Sequence, residues 1–264
     1  MILINYLETE LNKIILSGFL AVYGALIGNN RDINKVIIES ARYNKVMESK
    51  LRIPEQRQYS KILNICKKRN IKVEFSKSPI FDELKTSGGI AAEVFERRFT
   101  PAEELLNIQN PFLAFVEGIE DPYNFGYVLR SLHLSGVDAV LLPERNFFSS
   151  SDIVAKSSAG LSETMTLVIC KEPEAFCNQL KANGVKIVCT AVENSVSMYQ
   201  CNLKKPLLLV IGGEKRGISK TILNFADSTI CINYAKDTNI ALSAVSAASV
   251  LAFEVYRQNN INLL

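Results

Sequence analysis

The sequence has no tryptophan and a single histidine, His133, among its 264 residues. One imidazole cannot make a histidine-based metal site, and a Ser-His-Asp triad would have to rest on His133, which reads more simply as ordinary helix surface or core. No metal is expected. The six cysteines, at 66, 170, 177, 189, 201 and 231, contain no C-x-x-C pair. Several sit in apolar runs such as Lys186-Ile-Val-Cys189, the setting of reduced, buried thiols in a cytoplasmic protein rather than of a disulfide scaffold. Long apolar runs are missing too. Ile14 to Gly28 is the one membrane-like stretch, about 15 residues against the roughly 20 that a bilayer requires, and Ser17, Gly18 and Gly24 interrupt it. Glu8 and Glu10 precede it where a secretory signal wants basic residues. It reads as the buried first helix of a soluble domain, and no membrane is expected among the partners.

What is present is an ordinary globular composition, 48% hydrophobic and 22% charged, with length enough for two domains. The net charge of +3 conceals an asymmetry. Between Arg31 and Lys72 twelve Lys and Arg face four Asp and Glu, a local charge of +8, so the remainder of the chain carries −5. Such a segment is either a face that meets a polyanion or a solvated helix surface. Its densest run is Lys67, Lys68 and Arg69.

From Asp32 onward short β-branched runs alternate with amphipathic stretches, the pattern of βα units. Strands are expected at Ile33 to Ile38, Lys72 to Phe75 and Ile90 to Phe95, with a helix at Tyr59 to Arg69. Pro101, Glu103, Glu104 and Asn110-Pro111 mark a break, which places a boundary near residue 105 and divides the chain into domains 1–105 and 106–264. Beyond it, strands are expected at Phe112 to Glu117, Ala139 to Leu142, Met165 to Ile169, Lys186 to Ala191, Leu207 to Ile211 and Thr229 to Ile232. Helices are expected at Phe125 to Ser135, Ser151 to Ser158, Pro173 to Asn183, Lys220 to Phe225 and Ser243 to Gln258. The fold class is α/β: a mostly parallel sheet with helices on both faces, preceded by a smaller α/β domain.

In such sheets ligands bind beyond the carboxyl ends of the strands. The first strand of the second domain runs into Glu117-Gly-Ile-Glu-Asp-Pro-Tyr-Asn-Phe-Gly126, a turn that opens a helix without dinucleotide-binding glycine spacing. The glycine-rich element comes late, at Ile211-Gly-Gly-Glu-Lys-Arg-Gly217, and lacks the pattern of a phosphate loop. Its glycines would let the backbone approach a ligand closely, or would simply serve a tight strand-to-helix turn.

Three ordered pieces carry a resemblance. Asp121-Pro-Tyr-Asn-Phe-Gly-Tyr-Val-Leu-Arg130 resembles the D-P-x-N-x-G-x-x-x-R motif of the SpoU family of RNA ribose methyltransferases, which belongs to the knotted SPOUT class. Ile211 to Gly217 is similar to that family's G-x-E-x-x-G, and Ile232 to Glu254 to its isoleucine-led loop and small-residue helix. More weakly, Gly18-Phe-Leu-Ala-Val-Tyr-Gly-Ala-Leu26 and Gly89-Ile-Ala-Ala-Glu-Val94 resemble the α/β substrate-binding domain that precedes many such catalytic domains. The resemblance implies a C-terminal trefoil knot, S-adenosylmethionine (AdoMet) as cofactor, rRNA or tRNA as substrate, and a homodimer. It assigns catalysis to Arg130, Asn124 and Glu214, and cofactor contacts to Gly212, Ile232 and Leu242, while Thr190 and Ala191, at the end of a strand, are further candidates. RNA docking would fall to Lys67, Lys68 and Arg69. An arginine is a poor base, so the firmer expectation for Arg130 is that its forked donors hold the target phosphate and ribose.

One departure stands out. The family's third motif reads S-L-N-x-S where this chain has Ala241-Leu-Ser-Ala-Val245, with Ser243 in the Asn position and Ser246 as another hydroxyl in reach. The alternative expectation is therefore a catalytically degenerate RNA-binding protein that keeps the fold. A small-molecule enzyme on a plain doubly wound sheet is a third reading, disfavoured by the late glycine-rich loop.

Overall fold

Continuous apolar pentapeptides make the spine of the larger sheet. Phe112–Val116 (β5) and Leu207–Ile211 (β10) are buried at every position, as strands covered on both faces must be. In this computed structural model, which describes residues 13–51, 53–77, 80–84, 87–144, 151–191, 194–213, 216–236 and 240–260, the chain divides into two compact units. One consists of residues 1–98 with 150–164, the other of 99–149 with 165–264.

The first unit is built on a four-stranded mixed sheet of Ile14–Ser17 (β1), Ile33–Glu39 (β2), Lys72–Ser76 (β3) and Ile90–Val94 (β4), in the order β1-β4-β2-β3. Only β2 and β3 run parallel. The run from Ile14 to Gly28 is not one helix, contrary to the sequence expectation. It is β1 followed by Phe19–Gly28 (α1), hinged at Gly18 with φ +90°. Both pieces are apolar and contribute buried residues, so apolar content could not separate them, and the glycine that interrupts the run makes the joint. Ser40–Met47 (α2), Pro54–Arg69 (α3) and the short Ile80–Glu83 (α4) complete residues 13–98, and α3 starts with Pro54 at its first turn, where a missing N–H costs nothing.

A single cut near residue 105 does not describe the division, because Ser151–Ser157 (α6) and the 3₁₀ turn Leu161–Thr164 belong with the first unit. Polar contacts across more than a hundred positions bind them there. Asp152 accepts from the Ser17 backbone N–H at 2.6 Å and from its hydroxyl. The Arg31 guanidinium donates through Nε to Glu163 at 2.7 Å, with both side chains sealed from solvent. Arg97 lies 3.8 Å from the same carboxylate, and burial pulls its pKa down to about 10 against the opposing pull of Glu163. Gly24 of α1 comes so near Gly160 that a Cβ would stand 2.2 Å from the Gly160 carbonyl oxygen.

The second unit holds a seven-stranded, wholly parallel sheet. To β5 and β10 it adds Ala139–Pro143 (β6), Leu167–Cys170 (β7), Lys186–Thr190 (β8), the two-residue Val196–Ser197 (β9) and Ser228–Cys231 (β11). The spatial order is β7-β6-β5-β10-β8-β11-β9. Pro173–Ala182 (α7) and Lys220–Leu223 (α8) cover one face, where Phe176, Leu180 and Ile222 meet Leu113, Phe115 and Val210. Residues alternate across a strand. Pro122–Leu134 (α5) packs with Ala244–Asn259 (α9) through a Ser131–Ser249 hydroxyl pair at 2.7 Å. The end of α9 also grips the approach to β10: Gln258 accepts from the Leu203 N–H and Asn259 from that of Lys205. Among the described residues no helix is long and apolar enough to cross a membrane.

Removing one partner of a sealed ion pair strands the other charge. Arg31→Met is expected to lower the unfolding free energy of the first unit by about 3–5 kcal/mol in denaturant titration. Glu163→Met, which takes the shared carboxylate from both Arg31 and the buried Arg97, should cost no less; an unchanged midpoint for Arg31→Met would refute the role given to this pair.

Candidate active site

The strand order reverses around the β5–β10 pair. From β5 the chain continues outward to β6 and β7, whereas β8 and β11 lie on the far side of β10, and this switch is where open parallel sheets bind ligands. Beyond β5 and β10 the backbone closes up. The Glu117 N–H donates to the Ile211 carbonyl at 2.9 Å, and Gly118, at φ +83°, lies against Gly213. A Cβ on Gly213 would sit 2.0 Å from the Gly118 carbonyl oxygen, so only glycine allows these two segments to cross. The loop then folds on itself as Gly217 N–H donates to the Gly213 carbonyl at 3.0 Å.

The expected cofactor residues gather here. Thr190 ends β8, and its hydroxyl accepts from the Gly212 N–H at 3.4 Å, a long bond that nevertheless sets the two strand ends side by side. Ala191 donates to the Ile230 carbonyl at 3.0 Å, which ties the end of β8 to β11, and Ile232 is the first residue beyond β11. Leu242 is brought back to the same loop because its N–H donates to the Tyr234 hydroxyl at 3.0 Å. Thr190, Ala191, Gly212 and Ile232 are half-buried and Leu242 exposed, so polar backbone and apolar side chains share a rim open to a ligand. Glu214 lies outside the described residues.

Asn124 and Arg130 stand on α5. Part of their motif serves local conformation: Asp121 caps the helix by accepting from the Asn124 N–H at 2.8 Å, and Pro122 opens its first turn. Arg130 is exposed and has no hydrogen-bond or ion-pair partner among the described residues. It shares a helix face with Tyr123, Tyr127 and Leu134, at spacings of four, three and four residues, and these three apolar side chains are exposed by 53, 44 and 56%. On α9, Phe253 and Tyr256 are exposed as well and meet edge to face. Of the small residues of α9, Ala244 and Ala248 are buried within the chain.

Ser243, in the position of the family's asparagine, caps α9. Its hydroxyl accepts from the Ser246 N–H at 3.3 Å and donates to the Ser246 hydroxyl at 3.1 Å, so the Ser243 hydroxyl is spent within the helix cap. His133 is half-buried on α5, and burial lowers its pKa. Burial likewise pushes the Cys170 and Cys177 thiols to about 11 and Cys189 to about 12, far from the thiolate a nucleophile needs. Among the described residues no cluster suited to a metal ion occurs.

Sequence reasoning passed over Glu117 and Tyr234. The Glu117 carboxylate accepts from the Ser219 N–H at 2.9 Å and so clasps the far side of the glycine-rich loop. Its position directly after β5 was the available signal.

Of the expected RNA-docking residues, Lys67 and Lys68 are exposed, while Arg69 is engaged at the end of α1, donating to the Leu26 carbonyl and to Asn29 Oδ1.

With this geometry in view, the relatives are informative. Residues 111–253, more than half of the chain, match the SpoU rRNA Methylase family, and the chain belongs to that family. A Staphylococcus saprophyticus protein named for the TrmH family of tRNA/rRNA methyltransferases is 28% identical over 257 residues, covering 95% of this chain and 98% of its own. Among solved structures, an rRNA methyltransferase from Sinorhizobium meliloti aligns with TM-score 0.71 at 20% identity, over 94% of this chain and 88% of that one. The SpoU methyltransferase AviRb from Streptomyces viridochromogenes aligns with TM-score 0.75 at 16% identity, over 96% and 92%. These two likenesses establish the fold across both units.

Gly213→Ala is expected to force the crossing apart and cost about 1–3 kcal/mol of stability, the usual scale of an overpacked site, read by denaturant titration. Wild-type stability in that variant would mean that the two segments are not held as described.

Proposed function

We propose that this protein transfers a methyl group from AdoMet to a ribose 2′-hydroxyl of rRNA or tRNA. Family membership over residues 111–253 is the observation that carries the reading. A second support is that the S. meliloti rRNA methyltransferase of similar fold also has a structure with AdoMet bound. The residues fit such a cofactor: a glycine crossing that leaves no room for a Cβ brings backbone amides and carbonyls to the rim, with Thr190, Ala191, Gly212, Ile232 and Leu242 around it. The bound cofactor would supply an electrophilic methyl group on a sulfonium.

In this reading the chain's own side chains place the acceptor. A ribose hydroxyl is a very weak acid, so it must be held in line with the methyl and lose its proton as the bond forms. Arg130, exposed and unengaged among the described residues, grips the ribose and its phosphate through forked donors, and Asn124 and Glu214 assist. This reading places the chain in the cytoplasm with the rRNA or tRNA it modifies. The trefoil knot of the class comes with this reading, and two copies pair through the exposed apolar faces of α5 and α9, which carry Arg130 into the shared interface. Lys67 and Lys68 in the first unit take up RNA phosphate.

The capped state of Ser243 favours one other reading, an RNA-binding protein without catalysis. Transfer of a radiolabelled methyl group from AdoMet to total cellular RNA separates the two. Wild-type protein should label RNA, and Arg130→Ala should lower kcat at least 100-fold while leaving AdoMet affinity within about twofold. Absence of any labelling, with AdoMet still bound, would favour the non-catalytic reading; equal loss of transfer and cofactor affinity would make Arg130 structural.

A further inference from the structure

Within the segment that resembles a substrate-binding domain, the first unit carries a groove whose ligand the motifs do not specify. Two cavities of about 370 Å³ each adjoin one another, sharing Phe19 and Gln58 in their walls. Arg57 and Lys61 of α3 line one lobe, and Leu20, Ser87 and Lys156 line the other. Phe19 stacks on Tyr23 with ring centroids 5.4 Å apart and planes 23° from parallel, and the Lys61 ammonium lies over the Tyr23 ring at 5.8 Å. The result is a layered arrangement of cation, tyrosine and phenylalanine whose last ring faces both lobes. Leu20, half exposed, stands beside it.

The charges differ between the lobes. Lys156 is balanced by Asp152 at 2.8 Å. Arg57 and Lys61 are exposed and form no ion pair among the described residues, so the α3 lobe presents uncompensated positive charge next to an aromatic face. An apolar ligand would not call for those cations, and a duplex would present only its stacked exterior. We propose that this groove docks an unpaired stretch of the RNA substrate, with a nucleobase stacked on Phe19 and flanking phosphates neutralised by Arg57 and Lys61. The proposal rests on the reading of the protein as an RNA-modifying enzyme, and it names the form of RNA recognised: single-stranded. It also sets recognition on the first half of α3, whereas the expected Lys67–Lys68 run occupies the last turn of that helix.

The test is fluorescence anisotropy of the full-length protein with a labelled 20-nucleotide single-stranded RNA, in the absence of cofactor, with a duplex of equal length as competitor. Phe19→Ala should weaken binding roughly tenfold and Phe19→Tyr should restore it. The Arg57→Glu, Lys61→Glu double variant, which touches only exposed side chains, should weaken binding and flatten its salt dependence by about two contacts. Wild-type affinity in both Phe19→Ala and the double variant overturns the proposal and leaves the groove to a protein partner; competition by duplex as effective as by single strand overturns it as well. Methyl transfer to cellular RNA by the wild-type protein is measured separately, so failure of the groove and failure of the enzymatic reading are distinguished.

Discussion

The backbone crossing of Gly118 and Gly213 is the constraint on which the candidate site depends. Two chain segments, leaving β5 and β10 at the point where the strand order turns, approach until no side-chain carbon fits between them. That contact needs both central strands buried along their length, which the pentapeptides Phe112–Val116 and Leu207–Ile211 provide, and it needs glycine at the crossing. Glu117 adds a second hold through the Ser219 N–H, and Thr190 a third through Gly212. A rim made this way is largely backbone. It can recognise a ligand by amide and carbonyl geometry, with few chemistry-bearing side chains, in keeping with a chain that has one histidine and thiols kept neutral by burial.

Much of the second unit was legible in the sequence because its signals are local. Strands buried on both faces read as unbroken apolar runs, and the intervening helices announce themselves with Pro122, Pro173 and a capping Asp121. Tertiary features were not legible. Whether Ile14 to Gly28 is one element or two depends on a left-handed glycine between two buried pieces, which composition does not reveal. The assignment of residues 151–164 to the first unit rests on Arg31 meeting Glu163 across 132 positions. Val196–Ser197 is a strand only because β11 lies beside it.

The site shows the same division. Gly212, Ile232 and Leu242 are candidates from motif and Thr190 from its strand-end position, and hydrogen bonds link Gly212 to Thr190 and Leu242 to the loop after β11. Glu117 and Tyr234 were missed because what they do is hold other loops, and loop partners are set by topology. Ser243 shows the converse: the sequence marks it as a stand-in for an asparagine, while the structure gives its hydroxyl a capping duty. The first unit adds a different chemistry, in which charge, aromatic stacking and grooves of modest size meet on α1 and α3.

We propose that the cofactor seats on the strand-end rim of the second unit. Hydrogen–deuterium exchange of the intact protein with and without AdoMet tests it most directly, since a ligand held by backbone amides must slow their exchange. Slower exchange in peptides spanning 188–191, 210–213, 232–236 and 240–243, with residues 13–98 unaffected, is the predicted result. No change at those strand ends under saturating cofactor, or protection confined to residues 13–98, would contradict the account.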